Sequence, residues 1–300
     1  MIARTQRWVV VLLLAAAGAW TAFFVWRGSA WLALLGALAI VNTQSLLIAF
    51  EYLLLMPLAN RDDPTPHPST AQRLLAWWRE SLTAHMVFSW RQPFRANAEP
   101  DALDDHAGRR ALVLVHGFFC NRGLWNPWMR RLRAMHTPYL AITLEPVYGS
   151  IDEYVPQIDA AIERAWRATG VAPVIVAHSM GGLALRAWWR ARGAAADARV
   201  AHVLTIGTPH HGTLAALFAH GLNARQMRLG STWLVQLAAD EPPARRERFT
   251  CFYSHCDNIA MPSATATLLG ADNRHLAGTP HVALAYHPAV FDEALSRARA

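Results

Sequence analysis

The chain has 300 residues, 53% of them hydrophobic, enough for one large domain with an appendage. Its formal net charge of +7 is carried by arginines spread along the sequence, without a block of like charges or an RNA- or zinc-binding motif. The basicity therefore suits an anionic membrane surface and argues against a nucleic-acid partner. Cys120, Cys251 and Cys256 are odd in number and lack C-x-x-C spacing, so they point to neither a disulfide framework nor a zinc site.

The segment Trp8–Trp26 holds nineteen residues without a charge. At the rise of a helix it is just long enough to cross about 30 Å of hydrocarbon. After "RGS" a second apolar stretch follows, 30–59, interrupted by "NTQS" and carrying Glu51 near its end. It predicts a second span in which Asn42 and Gln44 bond across to the first helix. Trp8, Trp20, Trp26, Trp31 and Tyr52 fall where an aromatic belt belongs. Arg4 and Arg7 precede the first span and Arg27 alone sits in the turn, so the positive-inside bias places both ends of the hairpin in the cytoplasm. On this reading 1–59 is an anchor of two transmembrane helices in an inner (plasma) membrane. The alternative is a cleaved signal peptide ending near Ala17 and Ala19, which would make the protein periplasmic or secreted.

Residues 60–109 turn polar, opening with the Pro-rich linker "NRDDPTPHPST". The run "TAQRLLAWWRESLTAHMVFSW" then has apolar residues at helical spacing, as in an amphipathic helix packed on the domain that follows or lying on a membrane surface.

From Arg110 onward buried-type strands alternate with helices. "ALVLVHGFF", "YLAITL", "PVIVAHS", "RVAHVLTIGTP" and "RFTCFYSHCD" read as strands, and "NPWMRRLRAM", "YVPQIDAAIERAWRATG" and "MGGLALRAWWRARG" as helices. The alternation predicts an α/β fold, a mostly parallel sheet flanked by helices, with functional residues at the carboxyl ends of the strands. One such end is "AHSMGG", where Ser179 stands between strand and helix. A sharp turn there lifts the hydroxyl above the sheet and requires small neighbours; Gly181 and Gly182 supply them, and Ala177 does so less generously. Met180 N–H, at the helix start, can hold a developing oxyanion. A second end is His116-Gly117-Phe118, whose backbone N–H can face a bound carbonyl. His116 supports that loop, and His178 lines the floor beside Ser179.

Serine needs a base, and the base needs an acid to orient it, in the chain order Ser, acid, His for this fold. Asp257, 78 residues beyond Ser179, and His281, 24 further on, meet that order. Asp240 and Asp272 compete for the acid, and His255, His275 and His287 for the base. His210 and His211 are adjacent on an extended segment and point opposite ways, which argues against joint metal ligation.

These residues resemble the α/β-hydrolase superfamily and, within it, the bacterial triacylglycerol lipases and esterases. The resemblance covers about residues 110–297 and rests on "VLVHGF", "AHSMGG", "TIGTPHHGT", "YSHCDNIAMP" and "GTPHVALAYHP" in that order. It implies Ser179 as nucleophile, Asp257 and His281 as its partners, the N–H groups of Phe118 and Met180 as oxyanion hole, and a cap at about 213–247 within a catalytic domain spanning 110–300. Some such lipases also carry alanine at the first elbow position. The expected function is a membrane-anchored serine hydrolase acting on lipid or other apolar carboxylic esters, without a metal or organic cofactor. An acyltransferase or thioesterase would use the same triad, and a degenerate membrane scaffold would lack one of its members.

Overall fold

The computed structural model describes residues 1–300. Its centre is a six-stranded, wholly parallel sheet in the order β2-β1-β3-β4-β5-β6. The strands are β1 (Leu112–Val115), β2 (Tyr139–Ala141), β3 (Val174–His178), β4 (His202–Ile206), β5 (Phe249–Tyr253) and β6 (Asp272–His275). Because side chains alternate across a pleated strand, two cores form. Val113, Val115, Ile175, Ala177 and Val203 pack on one face, while Leu112, Leu114, Val176, Leu204 and Phe252 pack on the other with Trp125 and Trp128. Of these strands β6 lies outside the sequence reading. It is an edge strand, "DNRH", mostly exposed, and so lacks the apolar run that marks the others.

The N-terminal region packs against this domain and on itself. Helix α1 (Ile2–Trp26) is long and apolar enough to cross a membrane. Helix α2 (Ala30–Val41) runs back along it, so close that an added Cβ on Gly36 would lie 1.9 Å from the Trp20 indole nitrogen. Helix α3 (Thr43–Phe50) continues through a π-helical turn to Ala59 and departs from α2 by a bend of 67°. Asn42 Nδ2 donates to Leu38 O of its own helix (2.9 Å), not across to α1 as expected, because it sits at the bend. The linker is tied down: Asn60 Oδ1 accepts from Ser263 N–H and Asp63 Oδ2 from Ala264 N–H, each at 2.9 Å.

Helix α4 (Thr70–Ala84) begins at a Ser69/Gln72 capping box and extends through a π-helical turn to Arg91. Ala76, Glu80 and Ala84 are buried on one of its faces, whereas Leu74, Leu75, Trp78 and Leu82 are exposed. With Ile48, Tyr52 and Met56, the buried apolar side chains of α4 form a small third core against Cys256 and Met261, beyond the carboxyl end of β5.

Candidate active site

Register aligns the carboxyl ends of β3, β4 and β5: His178 pairs with Ile206, and Ile206 with Phe252. Ser179 follows β3 directly and precedes helix α5 (Met180–Arg192). Its backbone is held at φ 56°, ψ −129°, in a region that non-glycine residues rarely occupy. Three backbone-directed bonds fix it there. Ser179 N–H donates to Ile206 O (2.8 Å), and its carbonyl accepts from Gly182 N–H (3.1 Å) and Thr208 Oγ1 (2.8 Å).

The elbow is tightest at its two glycines. A Cβ on Gly181 would come 2.6 Å from His116 O, and one on Gly182 would come 2.3 Å from Thr208 Oγ1. Ala177, by contrast, is a buried member of the sheet core. Thr208, which both restricts Gly182 and holds the Ser179 carbonyl, carried no sequence signal beyond the "TPHHGT" run.

Gly117 passes directly against the serine, where a Cβ would meet Ser179 Cβ at 2.7 Å and Ser179 Oγ at 3.2 Å. The N–H groups of Phe118 and Met180, on either side of this contact, donate to no backbone carbonyl. His116 fixes the loop. Its Nε2 accepts from Leu144 N–H (2.9 Å) and its Nδ1–H donates to Gly117 O (2.8 Å). Burial lowers its pKa to about 4, so it is neutral and committed to structure.

Asp257 and His281 are brought together over Gly207. His281 Nδ1 lies 2.9 Å from both carboxylate oxygens, and Asp257 Oδ1 also accepts from Ile259 N–H (2.8 Å) and Ala260 N–H (2.7 Å). Both side chains are buried. Burial pulls the imidazole pKa down, but the Asp257 charge and hydrogen bond, with Glu80 behind them, outweigh it, so His281 stands above the ordinary histidine value. His178 Nε2–H donates to His281 O (3.1 Å), tying the floor to this loop.

The competing residues lie elsewhere. His255 Nδ1 and His275 Nε2 are 2.9 Å apart and pair with one another, and His287 Nδ1 accepts from Ala289 N–H at the start of the last helix. Asp240 is exposed at a helix end, and Asp272 is paired with Arg274 on β6. His210 is buried beside Thr205 and Cys251, while the neighbouring His211 is exposed.

A cavity of about 260 Å³ holds Ser179, His178 and His281 in its lining. Its upper wall is the N-terminal region: Gln44, Leu47, Ile48 and Glu51 follow i, i+3, i+4, i+7 spacing, and Glu80, Ala84 and Phe88 form a second row. No lining residue belongs to 213–247, so the segment expected as cap does not cover this cavity; the docked helices occupy that position.

Glu80 reaches furthest into the machinery. Fully buried, it accepts Val282 N–H (2.7 Å) and Ala283 N–H (3.2 Å), the two amides directly after His281. Burial raises its pKa to about 7, against the opposing hydrogen bonds and His281. The sequence marks it only as one polar position on an amphipathic helix. Glu80→Gln is expected to lower kcat/KM by up to about 10²-fold through a looser His281 loop. The acid limb of the pH–rate profile should also move to lower pH, because loss of a nearby carboxylate lets His281 shed its proton more readily. A limb that stays in place would dissociate Glu80 from His281.

Among solved structures the chain is similar to the mature form of Bacillus licheniformis lipase BlEst2, at 16% identity and TM-score 0.57, over 66% of this chain and 96% of that one. Aspergillus fumigatus lipase B matches at 17% identity and TM-score 0.52, over 61% of this chain and 51% of that one. No family model matches, and no curated protein matches by sequence. The chain has an α/β-hydrolase fold, to which an N-terminal apolar helix of transmembrane or signal type is joined.

Proposed function

We propose that this protein is a membrane-anchored serine hydrolase that cleaves carboxylic esters of lipid or other apolar acyl chains through an acyl-enzyme. The observation that carries this reading is a serine at φ 56° on a strand-to-helix turn, sharing one cavity with a histidine bonded to a buried carboxylate. Asp257 holds the Nδ1 proton of His281, leaving Nε2 to accept the proton of Ser179 Oγ as that oxygen attacks the ester carbonyl. The negative charge on the tetrahedral oxygen falls to the N–H groups of Phe118 and Met180, of which each such donor is worth about 10²–10³ in rate. His281 then returns the proton to the departing alcohol, and water repeats the sequence on the acyl-enzyme.

Anchoring is supported by the apolar surface of α1 and α2. Leu12, Leu14, Phe23, Trp26, Trp31 and Leu34 are all more than half exposed, which a soluble surface does not sustain over such an area. The arginine distribution supports a cytoplasmic catalytic domain.

Hydrolysis of p-nitrophenyl esters and labelling of the full chain by a fluorophosphonate test the chemistry; absence of both would refute it. Alkaline phosphatase fused after Ala300 should be inactive and a green fluorescent fusion bright, and the reverse pattern would refute the cytoplasmic placement.

A further inference from the structure

A second cavity, of about 460 Å³, adjoins the catalytic one. The two share Gln44, Leu47, Phe88 and Phe118 in their linings, so they lie against one another with these four side chains at the junction. Its far wall is α1, which contributes Gln6, Val9, Val10 and Leu13 at i, i+3, i+4, i+7, a single helix face. No charged residue lines this part. Of its four polar lining side chains, Gln6 Nε2 donates to Gln92 Oε1 (2.6 Å) and Phe119 O (3.0 Å) and Thr43 Oγ1 donates to Ile40 O (2.7 Å), while Ser89 and Gln44, the latter expected to bond across to α1, face the cavity without a partner. Val9 in its lining is 46% exposed, on a helix that also leaves Leu12, Leu14, Phe23 and Trp26 uncovered.

We infer that α1 is the distal wall of the acyl site, and that Val9, Val10 and Leu13 make the protein selective for esters of long, unbranched acyl chains drawn from the bilayer. This rests on the serine-hydrolase reading and deepens it. With the ester carbonyl at Ser179, the first carbons of the acyl chain occupy the small cavity, and only a long chain extends past Phe118 onto α1. The helix that seats the protein in lipid then also measures the substrate. Each methylene buried against such a wall is worth about fourfold in binding, so closing the far cavity to the last several carbons is a large effect on long chains and none on short ones.

The test is the full chain in detergent micelles, wild type against Leu13→Trp, assayed with p-nitrophenyl butyrate and palmitate. The indole should fill the far cavity, lowering kcat/KM for palmitate by about 10²-fold, the loss of roughly four buried methylenes, with butyrate changed less than about twofold. Leu13→Ala widens the far cavity without adding bulk, so it also decides the matter if the tryptophan variant fails to fold: the preferred chain should lengthen while butyrate turnover holds. Equal effects on both esters, or none on palmitate, would overturn the assignment. Labelling of wild type by a short fluorophosphonate separates this from the parent reading, since a labelled serine with unaltered chain preference overturns the acyl wall alone, and an unlabelled one overturns both.

Discussion

Ser179→Ala is expected to reduce ester turnover by about 10⁶-fold and to abolish fluorophosphonate labelling, while leaving the fold intact. The fold survives because the bonds that fix this residue are made by its backbone, through Ile206 O, Gly182 N–H and Thr208 Oγ1, and none uses the hydroxyl. The companion variant Ser179→Gly should lose activity equally, yet unfold later. A non-glycine residue at φ 56° carries strain of about 1–2 kcal/mol that glycine does not. A rise of about 1 kcal/mol in unfolding free energy, read in detergent by denaturant titration, would then measure the strain held at the elbow. An enzyme that keeps its turnover in the alanine variant cannot use Ser179 as nucleophile, and a glycine variant that is less stable than wild type would refute the strain argument.

The parts of this molecule that lie on a simple period are legible in its sequence. Strands β1, β3, β4 and β5 are short β-branched and apolar runs, buried on both faces, and the serine, acid and histidine follow in the order the fold imposes. What the sequence hides has a common physical origin. From Trp8 onward α1 is apolar nearly all round, so its Val9, Val10 and Leu13 row does not stand out from the face suited to lipid, whereas Gln44 and Glu51 mark the lining face of the segment that follows the bend. The bend of 67° at Asn42 replaces the second half of an expected straight span with a helix docked over the site, and "NTQS" is its only trace in sequence. The resemblance begins near residue 110 and implies a cap at 213–247, so it carries no information on a roof built from the helices that precede it. Glu80 could have been singled out by one signal, a carboxylate on an otherwise apolar helix face between Ala76 and Ala84, since a buried charge demands partners.

Asp257→Asn should cost about 10⁴-fold in kcat while barely altering stability. Asp257 Oδ1 already accepts two backbone N–H groups, from Ile259 and Ala260, in addition to facing His281. Those amides pin the oxygen of the asparagine on their side, since the reverse orientation would set its NH₂ group against two donors. The amide nitrogen is therefore directed at His281 Nδ1, where it can only donate. The imidazole responds by placing its proton on Nε2, facing Ser179, and a nitrogen that already bears a proton cannot act as the base. The same change removes the charge that holds the His281 pKa up, so the residual activity should show an acid limb displaced to lower pH. Asp257→Ala lacks the pinned amide and would free the 257–260 loop as well, so its loss of activity should come with a lower unfolding temperature. An asparagine variant within about tenfold of wild type, alongside an inactive Asp240→Asn or Asp272→Asn, would assign the acid to the wrong carboxylate.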